Sequence, residues 1–579
     1  MRADHHAMKR NGFAICVAAA LSAGLFRVAA STAEDYFNDV TLYEAKTPVL
    51  SAAPSPGLHG RFVPDLEWVT ARNVVGDESC RTCRMKAWRN ERVHGQFVVW
   101  TDLPRAQLRA SVTPLTAASG ARIGTGRLQT RFVRFVRDYG DCLDTIERVD
   151  LPTNGFRAVW LTVSVPSDAA AGVYRGQLTL TAGAADLLEF PVELEVVGRT
   201  LPEQTSFYLD LWQMPWSVAR YHGVEPYSDL HFALLKPLLK ELAAAGQRAI
   251  MTLVVDDLWP CYDTSDTGPS MVGYTVWPDG RRAFDFSVFD RYVAFAKDCG
   301  VGPQIHCYSF VRFQDDRRPV QTATCIDGAT GLRRTVEFRG FDDPAWEAHW
   351  GPFARALEDH AREKGWLGDV YIAIDEMSVP VIERLRTLLA KWAPGLRIQF
   401  ANDKPYAEFA RFDLDNFSQA MRKDLISDDL LAALPLRRAA GKTTTFYVCA
   451  GHPMKPNNWM NRPTAENEWI ALYAAANGFD GFLRWAAYLW PRDPFFSGGY
   501  GGMPGETFFL YPGARASVRW ELLRDGIESF DKIRILRAGG GMTSALEAAL
   551  KDVRFSADLP DTAFAEAVRA VNRELQEIR

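Results

Sequence analysis

Two kinds of hydrophobic periodicity divide this chain. Up to about residue 200, apolar residues recur in every second position. Leu161, Val163 and Val165 alternate with polar neighbours, and Phe190, Val192, Leu194 and Val196 alternate with Pro191, Glu193 and Glu195. A period of two puts one face of a strand on a core and the other in water. Pro166 and Gly172 punctuate these runs. Several short strands without a convincing helix predict a β-sandwich over residues 34–200.

The pattern changes after Arg199-Thr200-Leu201-Pro202. Eight strand-like runs follow, at 206–213, 249–256, 303–310, 369–375, 396–402, 411–417, 443–450 and 479–486. Helical stripes lie between most of them. Leu234, Leu235, Leu238, Leu239 and Leu242 form one in 229–245, and Val288, Phe289, Tyr292, Phe295 and Cys299 form another in 287–300, ended by Gly300. In 343–364, Asp343 is a capping residue, Pro344 suits the first turn, and Trp346, Trp350, Phe353 and Leu357 make the core stripe. Eight such units predict a (β/α)8 TIM-type barrel over 201–537. The chain is mostly helical from 514 onward, and residues 538–579 are expected to be a C-terminal helical tail after the Gly539-Gly540-Gly541 break.

Composition narrows the class. Lys plus Arg total 66 against 71 for Asp plus Glu, a formal net charge of −5, which gives no electrostatic footing for nucleic acid. Lys9 and Arg10, the apolar run from Gly12 to Phe26 and the small residues Ala29, Ala30, Ser31 and Ala33 match a cleaved export signal over 1–33. The expected protein is therefore secreted or periplasmic. No later segment has the 18 uncharged apolar residues of a membrane span. Cys80-Arg-Thr-Cys83 stands without a second pair, and HExxH, P-loop and dinucleotide signatures are missing, so no metal or cofactor is expected. In an oxidising compartment some of the eight cysteines after Cys16 can pair, but their spacing does not select partners.

A barrel of this type carries its chemistry where the strands end. Strand one ends with Asp210, Trp212 and Gln213, and strand two with Asp256 and Asp257, followed by Trp259. Strand three offers His306 and Tyr308, strand four Asp375-Glu376, and strand five Asn402 and Asp403. Strand seven offers Tyr447, Cys449 and His452, and strand eight Trp485, Tyr488 and Trp490. Carboxylates, amides and aromatic rings on one rim suit a carbohydrate partner. Two acids directly after an apolar strand must be exposed, paired or functional. Adjacent strand residues point to opposite faces, so both can serve one site only where the strand ends and twists. Most glycosidases take two carboxylates from separate positions, yet Phe446-Tyr447-Val448-Cys449-Ala450-Gly451-His452 contains no acid. Substrate assistance, in which a 2-acetamido oxygen attacks the anomeric carbon, suits an adjacent Asp-Glu pair. A conventional second carboxylate from Asp210, Asp256 or Asp257, and a non-catalytic glycan-binding role, are the alternatives.

Several blocks resemble one family. YIAIDEM (371–377), TFYVCAGHPMKPNNWMNRP (445–463), GFDGFLRWAAYLW (478–490), YPG (511–513) and SVRWELLRDGIESFDKIRIL (517–536) are similar to glycoside hydrolase family 123 and the related domain-of-unknown-function 4091 group, and VWLTVSVPSDAAAGVYRGQLTLTA (159–182) to its N-terminal sandwich. The resemblance implies an exo-acting, retaining β-N-acetylgalactosaminidase. It would make Glu376 the general acid/base and Asp375 the group orienting the acetamido N–H. Tyr447 would bind the acetamido oxygen and Trp485 would wall the pocket. The chain departs from the family in having Met377, where Pro is usual, and Asn467-Glu468-Trp469, where Arg is common.

Overall fold

The computed structural model describes residues 48–63, 69–183, 186–256, 258–259, 268–450, 455–499, 503–556 and 558–578. The export signal, Asp257 and His452 lie outside the described residues.

The N-terminal part is two packed sheets. One runs in the order Leu58–Val63, Arg92–Thr101, Phe156–Ser164, Leu128–Val136, Tyr139–Asp144. The other runs Cys83–Arg89, Asp186–Thr200, Gly172–Ala182, Arg105–Val112, Val149–Leu151, with two short strands at its side. In the hairpin of the second sheet Leu178 pairs with Phe190 and Leu180 with Leu188. These residues and Val192, Leu194 and Val196 are buried between the sheets, while Glu189 and Pro191 face water. The one-wet-face rule thus holds at the 190–196 run. It fails at 161–165, because the sheet that contains Leu161 and Val163 is buried on both sides. Its other face, with Val98, Trp100, Val133, Ala158 and Trp160, belongs to the same hydrophobic core as the barrel. Thr162 is only 2% exposed there and accepts from Arg131 Nη2 at 2.7 Å.

Eight parallel strands follow, at Tyr208–Leu211, Ala249–Leu253, Gln304–Tyr308, Val370–Asp375, Arg397–Asn402, Asn416–Ala420, Thr443–Tyr447 and Gly481–Arg484. From strand two to strand eight each pairs with its sequence neighbour, and the eighth pairs with the first. Between strands one and two the contact is a single bridge, Leu209 to Gln247, and two side-chain amides extend it. Gln247 accepts from Leu211 N at 3.0 Å and donates to Ala249 O at 2.8 Å, while Gln213 accepts from Met251 N at 2.8 Å. A primary amide has the donor and acceptor of a peptide group, so these glutamines extend the ladder across the seam.

The sixth strand is displaced from the expected 411–417. Ala410–Phe412 is a 3-10 turn and the strand is Asn416–Ala420. The run Asn-Phe-Ser-Gln-Ala looks polar, yet it is wholly buried because Asn416 is spent inside the barrel, where its Nδ2 donates to Tyr208 OH at 2.8 Å.

The barrel helices form where the apolar stripes run. Asp229–Ala244 is capped by Ser228, and Pro344–Glu363 by Asp343, whose carboxylate accepts from Ala345 N. Val518–Ala538 packs so closely on Ala465–Asn477 that a Cβ at Gly526 would come within 2.6 Å of Glu468 O. Ser544–Lys551 and Asp561–Glu577 follow it. The loops after strands two and three build an unanticipated four-stranded sheet, in the order Arg282–Asp285, Gly273–Val276, Gln321–Asp327, Arg333–Phe338. All seven described cysteines are free, so the expected pairing is not found among the described residues. No described helix is long and apolar enough to cross a membrane.

Candidate active site

Strand four, Val370–Asp375, is an apolar run that delivers its last residue to the rim. Glu376 then takes φ +52. A left-handed step costs a side chain roughly 1–2 kcal/mol, and here it answers the geometric question that two adjacent acids raise. It breaks the alternation of the strand, so Asp375 and Glu376 line the same cavity of about 440 Å³. Glu376 N donates to Ala401 O at 2.8 Å and Lys404 Nζ donates to Glu376 O at 3.0 Å, which holds the step in place.

Each acid has one aromatic donor. Trp259 Nε1 donates to Asp375 Oδ2 at 2.8 Å, and Tyr447 OH donates to Glu376 Oε1 at 2.7 Å. Trp259 stacks on Trp212 at 5.0 Å, and Tyr308 meets Trp212 edge-on at 4.8 Å. Trp212 lines the cavity, while its indole N–H is buried with no partner among the described residues. Trp485 lines the cavity too, its Nε1 bonded to Glu506 Oε1 at 3.1 Å.

Burial sets the electrostatics. It pushes the Glu376 carboxyl up to about 7, helped by the negative charge of Asp403 and opposed by the Tyr447 hydrogen bond. Asp375 is raised well above the carboxylate range, by burial first and by Glu376 next. Asp403 is ion-paired to Lys404 at 2.5 Å, so the cation nearest the pair is already engaged. Two adjacent acids, both raised and neither in an ion pair among the described residues, hold a proton between them near neutrality, the condition for a general acid beside a second carboxyl.

The sequence profile of the glycoside hydrolase 123 catalytic domain matches residues 212–536, and that of the glycoside hydrolase 123 N-terminal domain matches 65–141 and 137–182. The chain belongs to glycoside hydrolase family 123. Among solved structures, it is similar to a family 123 glycoside hydrolase from Clostridium perfringens, studied for glycolipid glycan hydrolysis. The TM-score is 0.81 and the identity 20%, over 90% of this chain and 98% of that one. A family 39 glycoside hydrolase from Bacteroides cellulosilyticus aligns over 77% of this chain and 81% of its own at TM-score 0.35 and 10% identity. No curated protein matches the sequence.

The cavity of this glycoside hydrolase collects Asp375, Glu376, Tyr447, Trp485 and Trp212 from the strand-end candidates. Other candidates lie elsewhere. His306 is wholly buried inside the barrel, against Asp210 at 3.2 Å and Gln304 at 3.0 Å. Strand three ends at Tyr308, so His306 is two residues down and one layer below the rim. Tyr308 supports Trp212 from beneath, and its OH donates to Gln399 Oε1 at 3.3 Å. Asn402 bonds Gln419 Oε1 at 3.0 Å and joins strands five and six. Asp256 accepts from Ser270 N at 2.7 Å and pairs with Arg333, which fastens the rim sheet. Tyr488 and Trp490 are fully buried beyond the end of strand eight, Trp490 Nε1 donating to Leu510 O at 2.6 Å. They belong to the core because strand eight stops at Arg484, well short of them.

Trp259, Asp403 and Cys449, also named at strand ends from the sequence though without an assigned role, line the cavity as well. Phe313, Gln314 and Arg317 also line it, from a loop without periodicity. Glu506 was not a candidate at all. It is 1% exposed, accepts from Ala450 N at 2.7 Å and Arg484 Nη2 at 2.7 Å, and positions Trp485.

Proposed function

We propose that this glycoside hydrolase removes a terminal β-linked N-acetylgalactosamine, or a related N-acetylhexosamine, with retention and by substrate assistance. The observation that carries the reading is the left-handed step at Glu376, which turns two adjacent acids into one cavity. Glu376, raised to about 7, protonates the leaving oxygen. With the pair's one proton on Glu376, Asp375 is the carboxylate that accepts the acetamido N–H and steadies the positive charge as the carbonyl oxygen attacks C1. The Glu376 carboxylate then takes a proton from the water that opens the oxazoline. Tyr447, on turning its hydroxyl from Glu376, is the donor for the acetamido oxygen. The glycolipid glycans of the Clostridium relative are the first natural substrates to try.

The test is a panel of aryl β-glycosides with and without the acetamido group, with a thiazoline mimic of the oxazoline as inhibitor. Hydrolysis confined to acetamido sugars, blocked by the thiazoline, is expected. Equal turnover of non-acetamido sugars, or indifference to the thiazoline, would remove substrate assistance and leave Asp403 to be tried as a conventional second carboxylate.

We also propose export, on the basic, apolar and small-residue succession of the first 33 residues. Fusing residues 1–40 to a reporter active only outside the cytoplasm tests it, and a silent reporter would overturn it.

A further inference from the structure

A loop after strand three lines the cavity with Phe313, Gln314 and Arg317, and Arg317 is the cation it brings there. Phe313 N donates to Leu258 O at 3.0 Å, tying the loop to the Trp259 segment. Asp316 Oδ2 accepts from Ser378 N at 3.1 Å, two residues beyond Glu376. Gln321 Nε2 donates to Asp315 O at 3.0 Å and to Arg318 O at 2.8 Å, and the Asp315 side chain is buried. A backbone fastened at three points keeps little freedom to lose on binding.

On this fastened loop Arg317 is exposed and lines the cavity. Its guanidinium has no hydrogen-bond or ion-pair partner among the described residues. The nearby cations differ. Lys404 is paired to Asp403, Arg312 to Asp315, and Arg333 to Asp256. Arg317 thus shares the cavity with Glu376, and its charge is one of the influences on that carboxyl.

We propose that Arg317 makes this enzyme select leaving groups that carry an anion, a carboxylate or a sulfate ester on the sugar next to the scissile bond. A guanidinium offers a planar fork that matches either group with two hydrogen bonds, Gln314 adds an amide beside it, and Phe313 gives a ring face for the sugar. The selection deepens the proposed function and rests on it for the position of the leaving group. It also has a chemical consequence. An unpaired Arg317 favours the Glu376 carboxylate, the wrong form for protonating a leaving oxygen. An anion bound to Arg317 cancels that effect, so the acid stays protonated to higher pH when the matching substrate is in place.

The test uses the full chain and three matched substrates, in which the same hydrolysable sugar is β-linked to a neutral, a carboxylated or a sulfated galactoside. Wild-type kcat/KM is expected to be about tenfold higher on at least one anionic substrate, an effect of the size of one charge-assisted pair. Arg317→Gln is expected to bring that ratio towards one and to move the alkaline limb of its neutral-substrate profile to higher pH. A parallel binding measurement on Glu376→Gln, with the free neutral, carboxylated and sulfated galactosides, needs no assumption about the sugar removed. Its anion preference should vanish when Arg317→Gln is added. Equal rates on all three substrates, or a preference that survives Arg317→Gln, would overturn the proposal. Failure of the sugar assignment shows separately, as turnover of non-acetamido aryl glycosides. The carboxylate and sulfate arms decide which anion is read.

Discussion

Glu376, half-buried on the cavity wall, and Glu521, fully buried, are the same residue type, and they are driven in opposite directions. At Glu376, burial is the largest influence and it prevails, because Lys404 is taken up by Asp403, Arg317 acts only at a distance, and the one side-chain hydrogen bond is a tyrosine hydroxyl's. At Glu521, burial pushes up as well, yet Arg92 and Arg131, each at 2.8 Å, and His94 at 3.6 Å hold the carboxyl well below its usual range. Glu521 stands on the helix Val518–Ala538 and its cations come from the sandwich, so it fastens the two halves of the molecule. Arg519 and Asp525 on the same helix also reach the sandwich, and Arg524 reaches the barrel. Arg519 pairs with Asp141 at 2.9 Å, Asp525 with His94 at 3.0 Å, and Arg524 with Glu241 of the barrel at 2.7 Å. The contrast teaches that burial alone does not mark a catalytic acid. Glu521, ion-paired on two sides, is held in its charged form, while Glu376, with no ion pair among the described residues, keeps its proton towards neutrality.

The sharpest way to break the comparison is to neutralise each acid. Glu376→Gln should lower kcat by about 10²–10⁴-fold, the usual worth of general acid–base help, while thermal unfolding shifts little. Glu521→Gln should do the reverse. It leaves Arg92 and Arg131 buried without their counter-charge, a loss of about 3–5 kcal/mol in stability by denaturant unfolding, with turnover per folded molecule near wild type. If Glu376→Gln keeps its rate, or Glu521→Gln keeps its stability, the distinction fails. A smaller effect is expected from Trp259→Phe, which retains the ring but removes the donor to Asp375 Oδ2. The loss of a hydrogen bond to a charged group, about 1.5–3 kcal/mol, should appear in kcat more than in KM. An unchanged kcat would mean that the bond is not made to the form of Asp375 that reacts.

The mildest test is pH. Glu376 must be protonated to act, so kcat/KM should fall as pH rises through about 7. The native state holds that proton more tightly than the unfolded chain, so this group's contribution to stability is present below the usual glutamate range and fades as pH rises towards 7. Glu521 has the opposite sign. Its folded-state pKa is depressed, so its contribution is present above the usual range and is lost as pH falls. A flat kcat/KM between pH 6 and 8 would deny Glu376 the role of acid.

How much of this could be read beforehand depends on how local the signal is. The hairpin at 172–200 and the helices at 229–244 and 344–363 follow from short-range periodicity and caps, and they stand where the pattern puts them. Strand six slipped because its polar residues are satisfied inside the barrel by Tyr208, about two hundred residues away. Asp375 and Glu376 were legible because two acids at the end of an apolar strand are locally anomalous. His306, Tyr488 and Trp490 were over-read, since a polar or aromatic residue near a strand end does not say which layer it occupies. Glu506 and the loop carrying Phe313, Gln314 and Arg317 had no local mark. Their roles come from partners distant in sequence.

The sequence by itself determined the order of the elements, a sandwich followed by eight β-α units, because periodicity is a property of neighbouring residues. It also determined that an Asp-Glu pair stands at the end of strand four. Tertiary structure decided the rest. It buried both faces of one sandwich sheet, closed the barrel seam with Gln213 and Gln247, and turned Glu376 into the same cavity as Asp375. It also decided which of the two glutamates received ion-pair partners. Charge balance in a low-dielectric interior is set by groups brought together from the whole chain, and no run of adjacent residues contains it.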